Sequence, residues 1–468
     1  MLARVTAALA ASGYTVPDGQ YTLNVAPSGP GAAGRHLDLA VAVALLAATH
    51  QTGFRPLGTY LLAGELGLDG SLHPVRGAVL LGPAALQARA AGVIVPTGNA
   101  REAAAAGGVE VRGADTLAEV VEFLRGAGEL PRVAAECVSF GAGGEGALDL
   151  AEVKGQAHVK RALEVAAAGS HHLLMVGPPG TGKTMLAQRL PGILPPLSFD
   201  QALEITSLHS VSGLLGPGQG LLRTRPFRNP HTTISDAGLV GGGSTPKPGE
   251  VSLAHHGVLF LDELPEFRTG VLEALRQPLE DGLVTLGRGG VTITYPSRFM
   301  LVAAMNPCPC GHHGDSQRRC TCAPAAVQRY LGRIPGSLLH RIDLHVEVPA
   351  VRYRDLADGR AGEPSESIRS RVERAREVQR ARFGARAEVH ANAHMTARDL
   401  REHCAVGQGG DALLRTAITR LGFSVRAYHS VLKLARTIAD LDGGGDLTTA
   451  QVAEAIQYRS LDAQPVIP

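Results

Sequence analysis

The sequence predicts an α/β fold: a mostly parallel sheet covered by helices, followed by a helical region. Three observations carry this expectation. The apolar run His171–Val176 passes directly into a Gly-rich loop and then a helical pattern. Val258–Leu261 and Phe299–Ala304 are two more short, wholly apolar runs. Strands that are apolar on both faces belong to sheets covered on both sides. The repeated strand–loop–helix order supplies the crossovers that parallel pairing needs.

A chain of 468 residues exceeds one ordinary core, so about two to four domains are expected. Residues 1–133 read as one α+β unit. Tyr21–Val25, Thr59–Gly64 and Val93–Pro96 are its strand-like runs, and Leu37–Ala48 and Ala84–Ala91 its helical ones. The Gly-rich stretch 134–150 reads as a linker. Residues 151–350 hold the α/β core. Residues 351–468 read as helical through Ser367–Phe383, Asp411–Arg420, Ser424–Leu441 and Thr448–Tyr458, the last opening on good N-cap residues.

Composition narrows the function classes. A net charge of +2 excludes a bulk polycation, so any nucleic-acid contact must come from a local basic surface. The N-terminus has no signal-type pattern. The apolar run Leu39–Ala48 is about half the ~20 residues that a membrane span needs. A cytoplasmic protein with no membrane partner is the expectation.

Gly177-Pro178-Pro179-Gly180-Thr181-Gly182-Lys183-Thr184 matches G-x-x-x-x-G-K-[ST] between a strand and a helix, the context that motif requires. Its glycines let backbone N–H groups converge on phosphate oxygens, and the helix directs its positive end at them. Lys183 suits the β/γ-phosphates of ATP, and the Thr184 hydroxyl suits Mg²⁺.

Asp262 and Glu263 end the run Val258–Leu261. Asp262 suits the Mg²⁺ shell and Glu263 the polarising of an attacking water. An acidic pair opening a helix is the structural alternative. Asn306 closes the third apolar run and could position that water, or simply end a strand before Pro307. Arg341 lies between a helix and a strand, where it could stabilise phosphoryl charge or pair locally with Asp343 or Glu347. Arg426 opens a late helix and could reach the γ-phosphate or remain a solvated helix-end charge.

Cys308, Cys310, Cys320 and Cys322 fall in one short window. Four thiolates suit a closed structural Zn²⁺ site, although C-x-C is tighter than the usual spacing. Reduced buried thiols and a redox pair are the alternatives, and His312 or His313 could replace one cysteine. Arg369, Arg371, Arg374, Arg376, Arg380, Arg382 and Arg386 crowd one helix with Glu373 and Glu377. Such a face could track DNA phosphates, but a solvated face with i,i+4 pairs is the preferred reading.

Taken together, the motifs resemble the ComM/YifB family of Mg-chelatase-like AAA+ ATPases. The resemblance covers nearly the whole chain. It rests on VKGQAHVKRALEVAAAGSHHLLMVGPPGTGKT, PKPGEVSLAHHGVLFLDELPEF, AAMNPCPCG, LLHRIDLHVEVP and SVRAYHSVLKLARTIADL. It implies an AAA+ core, a helical lid and a ring, usually a hexamer. It matches Asn306 to sensor 1, Arg341 to an arginine finger acting in trans, and Arg426 to sensor 2. It further implies a helix-2 insert near Arg225–Glu250 and a hairpin near Leu283–Tyr295. Lys247 and Arg288 on these loops become candidates for DNA backbone contacts, with solvated loop charges as the alternative.

The N-terminal unit resembles the Lon protease domain in GELGLDGSLHPVRGAV and the DLAVAVALLAA helix. Lon-type proteolysis needs a Ser–Lys dyad, and the first lysine of this chain is Lys154. A serine without that base lacks its activator, so the unit reads as non-proteolytic and used for assembly or partner binding. The resemblance also implies that the unit is shortened at its N-terminus. The function so implied is ATP-driven branch migration of DNA, or helicase action, in homologous recombination during natural transformation, with recombination proteins as partners. A motor subunit of magnesium chelatase is the alternative. The resemblance weighs against it through the Lon-like unit, which chelatase motors lack. An ATP-dependent protease is disfavoured by the missing lysine.

Overall fold

The computed structural model describes residues 1–16, 19, 21–25, 34–54, 60–135, 148–243, 246–288, 291–315, 318–351, 362–384, 386 and 389–459. Most of the expected linker, the hairpin turn at Gly289-Gly290 and the last residues of the chain lie outside them.

The N-terminal unit holds a four-stranded sheet. Its strands are β1 (Tyr60–Leu62), β2 (Gly92–Pro96), β3 (Glu110–Ala114) and β4 (Arg132–Val133), in that spatial order. The first three pair in parallel, and β4 is an antiparallel edge. Helices α1 (Leu2–Ala11) and α2 (Asp38–Ala48) pack together, and Arg4 donates to the fully buried Asp38 at 2.8 Å. Tyr21–Val25 forms no strand. Its Tyr21 and Leu23 point to solvent, and a strand-like run with no sheet face to bury among the described residues gains little from strand form.

The central sheet comprises β5 (Leu173–Val176), β6 (Phe227–Arg228), β7 (Val258–Leu261), β8 (Met300–Met305) and β9 (Leu344–Glu347). The spatial order is β9-β5-β8-β7-β6, and every pairing is parallel. β5, β7 and β8 are buried at every residue. Alternate side chains enter two cores. Leu173, Met175, Phe260 and Val302 face one, and Leu174, Leu259, Leu261 and Leu301 face the other. β6 lies inside the expected helix-2 insert. Phe227 and Arg228 pair with Val258 and Leu259 as the sheet edge, so the expected insert begins inside the sheet, and its Leu239 is buried in the second core.

The first core extends without a break into the C-terminal helices α3 (Ser365–Phe383), α4 (Gln408–Leu421), α5 (Val425–Leu441) and α6 (Thr449–Gln457). Ser424 and Thr448 cap α5 and α6. These helices seat against the edge of the sheet where its strands begin. His171, just before β5, bonds Asp343 Oδ2 at 2.9 Å through Nδ1 and Thr437 Oγ1 at 2.8 Å through Nε2. Gln379 donates to the Ala168 carbonyl at 3.0 Å.

The arginine-rich helix α3 differs from the solvated face expected of it. Arg374 and Arg380 are exposed, but others turn to protein. Arg369 donates to the Gly192 carbonyl and Arg376 to the Ala167 carbonyl. Arg371 pairs with Glu164 and Glu363, and Arg382 pairs with Asp440. The reason is burial: Glu164 and Asp440 are nearly inaccessible, and buried carboxylates require partners.

The N-terminal unit docks on the helix Phe199–Ser212. Ser210 Oγ donates to buried Glu102 and accepts from the Gly77 N–H at 2.8 Å. Val79, Ala105, Leu197, Ala202 and Ile205 close an apolar seam beside it.

Removing one member of a buried ion pair strands the other. We expect Arg382→Ala to destabilise the chain by about 3 kcal/mol, the low end of such losses because Arg436 also contacts Asp440. Urea unfolding measures this, and a loss below about 1 kcal/mol would contradict the assigned role.

Candidate nucleotide site

The loop Gly177–Gly182 leaves the end of β5 and enters the helix Lys183–Arg189. Gly177 threads a narrow gap: a Cβ there would lie 2.2 Å from the Val348 carbonyl. Gly180 and Gly182 have φ of +77° and +86°, and a Cβ on either would meet nothing within 4 Å. The loop therefore presents open backbone in a conformation that favours glycine, a concavity that fits phosphate oxygens.

Lys183 Nζ donates to the carbonyls of Gly177 at 2.7 Å and Pro178 at 2.9 Å, and to Asn306 Oδ1 at 3.2 Å. Burial pulls its pKa below the ordinary lysine value, opposed by Asp262 and Glu263. Thr184 Oγ1 donates to Asp262 Oδ2 at 2.6 Å. Asp262 Oδ1 accepts from the Glu263 N–H at 3.0 Å. A hydroxyl and a carboxylate this close form an oxygen set suited to a hard cation such as Mg²⁺. Glu263 is exposed and sits at φ +53°. A non-glycine residue in that region is costly and is concentrated at functional sites.

Two neighbours escaped the sequence reading. Gln156 Nε2 donates to the Thr181 carbonyl at 2.9 Å and the Pro349 carbonyl at 3.2 Å, tying the phosphate loop to the chain leaving β9. Its only sequence signal is a polar residue opening a helix after a glycine. Tyr330 accepts from the Asn306 backbone, and burial, with Glu266 and Glu263, pushes its phenol up to about 12.

Arg341 and Arg426 are not at this loop. They line a cavity of about 680 Å³ with Ser170, His172, Arg298 and Asp343. Those residues precede β5, β8 and β9, whereas Gly177 and Asn306 follow β5 and β8. The six residues of β8 alone separate the two edges by about 20 Å. Arg341 pairs with Glu280, not with Asp343 or Glu347, and donates to the Ser337 carbonyl at 2.5 Å. Asp343 instead bonds His171 and Ser430. Burial, then Arg426 and Arg276, lowers the Arg341 pKa.

The expected hairpin is present as Leu283–Arg288 against Val291–Pro296. The Arg288 side chain lies outside the described residues. Lys247 is exposed on a short second hairpin pairing with Gly242. Tyr295 of the first hairpin donates to the Pro246 carbonyl at 3.1 Å, so the two loops stand side by side.

The four cysteines converge directly beyond Asn306. Cys308 Sγ lies 3.4 Å from Cys310 Sγ and 3.7 Å from Cys320 Sγ, and Cys310 and Cys320 are 3.6 Å apart. All four sulfurs fall within 4.8 Å of one another. No helix among the described residues is long and apolar enough to cross a membrane.

Comparison with known proteins gives this arrangement its relatives. Residues 149–356 match the family model "Magnesium chelatase, subunit ChlI" and residues 362–459 its C-terminal counterpart. Residues 2–99 match "Subunit ChlI of Mg-chelatase", so the N-terminal unit does not by itself separate a chelatase from its relatives. Coverage does. The competence protein ComM of Haemophilus influenzae is 42% identical over 98% of this chain and 89% of its own length. YifB of Escherichia coli is 42% identical over 98% of this chain and 88% of its own. The magnesium-chelatase 38 kDa subunit of Rhodobacter capsulatus is 25% identical over 44% of this chain and 60% of its own. With a full-length match at that identity, the chain belongs to the ComM/YifB family of magnesium-chelatase-like AAA+ ATPases.

Proposed function

We propose that this chain is the subunit of a cytoplasmic, ATP-driven DNA motor that assembles as a hexameric ring and remodels branched or single-stranded DNA in homologous recombination. The observation that carries this reading is the full-length likeness to a protein named for competence, a state of DNA uptake. Lys183 holds the β/γ-phosphates. Thr184 and Asp262 hold Mg²⁺, which supplies charge neutralisation on the phosphates. Glu263 polarises the attacking water, and Asn306, bonded to Lys183, fixes its position. The separation of Arg341 and Arg426 from their own loop supports a site shared between subunits. Arg341, held by Glu280 within the chain, and the exposed Arg426 would both turn to a neighbour's γ-phosphate in the ring. Lys247 and Arg288 are assigned to DNA phosphates. A chelatase motor is the second reading, favoured by the match of residues 149–356.

ATP turnover measured at fixed salt, with and without four-way junction DNA, tests the motor. We expect stimulation and strand movement; an active ATPase indifferent to DNA would overturn the reading in favour of the second. Glu263→Gln should lower kcat by about 10²–10⁴-fold while ATP still binds, and undiminished turnover removes its role. Lys183→Ala and Arg341→Ala should each be inactive alone and regain activity when mixed, because a mixed ring contains intact shared sites. A mixture as inactive as its components rules out sharing.

A further inference from the structure

We propose that Cys308, Cys310, Cys320 and Cys322 bind one Zn²⁺, and that this knuckle clamps the phosphate-binding loop through the contact of Gly311 with Pro179. The clamp rests on the assignment of that loop to nucleotide; the metal site does not.

The geometry is that of a mononuclear site. Four sulfurs at about 2.3 Å from a tetrahedral Zn²⁺ are about 3.8 Å apart. The observed separations of 3.4, 3.6 and 3.7 Å lie close to this. They are far beyond a disulfide bond of about 2.05 Å. Backbone donors also point at the sulfurs. The Cys310 N–H reaches Cys322 Sγ at 3.4 Å, the His313 N–H reaches Cys308 Sγ at 3.3 Å, and the Cys322 N–H reaches Cys320 Sγ at 3.4 Å. Such bonds disperse the negative charge that thiolate ligands carry. Soft ligands in a tetrahedral set select zinc or iron. A second group, Glu204, His255 and His256, is less suited to a cation. His255 Nδ1 accepts from the Arg298 N–H, so its Nε2 holds the proton and donates to Glu204 at 2.8 Å.

The position of the knuckle gives it a task. Cys308 is two residues beyond Asn306 and fully buried. Gly311 turns at φ +83°, and a Cβ there would lie 2.5 Å from Pro179 Cδ in the phosphate loop. After Cys322 the chain enters the helix Pro324–Leu331, whose Tyr330 accepts from Asn306. One metal thus closes a loop whose turn rests on the nucleotide-binding backbone and whose two ends bracket Asn306. Metal closure removes the freedom of that loop. It therefore couples zinc binding to nucleotide binding, and each ligand must tighten the other by the same factor.

The test uses the full chain purified without chelator. Elemental analysis should find one zinc per chain. Cobalt substitution should give thiolate charge-transfer bands and tetrahedral d–d absorption, and Cys310→Ser and Cys322→Ser should lose the metal. Gly311→Ala keeps every ligand; it should retain zinc and bind a fluorescent ADP analogue about 5- to 150-fold more weakly. Lys183→Ala should lose nucleotide and keep zinc, which separates failure of the loop assignment from failure of the metal site. A chain without zinc, a disulfide among these cysteines, or iron in place of zinc overturns the site. Full zinc with unchanged ADP affinity in Gly311→Ala overturns the clamp.

Discussion

Everything at the nucleotide site depends on the parallel pairing of β5 with β8 on one side and β9 on the other. This pairing brings three strand ends to one edge of the sheet. Gly177 emerges there between Asn306 on one side and Val348 on the other. The Gly177 N–H donates to the Met305 carbonyl at 3.2 Å, and the Val348 N–H to the Val176 carbonyl at 2.7 Å. A one-residue slip of β8 would turn its side chains to the opposite core and withdraw Asn306 from Lys183. The chemistry is fixed by register before any side chain is chosen. Ligands in open α/β sheets collect at this carboxyl edge for the same reason.

The same pairing sends the beginnings of the strands to the opposite edge, where the helical region attaches. His171, Asp343, Thr437 and Ser430 form a buried polar chain there. Burial pushes the Asp343 carboxyl upward, but bonds from His171 and Ser430 outweigh it and hold the group below the usual carboxylate range. A satisfied buried network of this kind fixes orientation as well as adding stability. It sets where Arg426, near the start of α5, points relative to Arg341.

The residues legible in the sequence are those whose role is local. The phosphate loop and the acidic strand end announce themselves by spacing, α5 by its amphipathic period and α6 by its cap, while the hairpin is implied by the family resemblance. What the sequence could not show is which partner a side chain meets from a distant segment. Arg341 lies two residues from Asp343 yet pairs with Glu280. The arginines of α3 look like a solvated stripe because Glu164 and Asp440, their buried partners, are remote in sequence. Gln156 carries no motif, since its task is to bond the Thr181 carbonyl across 25 positions of chain. Tyr21–Val25 failed for the opposite reason: its pattern is strand-like, but no sheet face among the described residues receives it.

The docking of the N-terminal unit has a mechanical consequence. The unit is joined to the core covalently through the chain after β4 and again by the Gly77–Ser210–Glu102 bonds on the helix Phe199–Ser212. A body tethered at one point swivels; one held at two transmits torque. The second attachment lands on Phe199–Ser212, the α-helix that follows Lys183–Arg189 after the 3-10 turn Leu190–Ile193. Whatever grips the N-terminal unit therefore holds a lever that acts on the α-helix next in the chain after Lys183–Arg189.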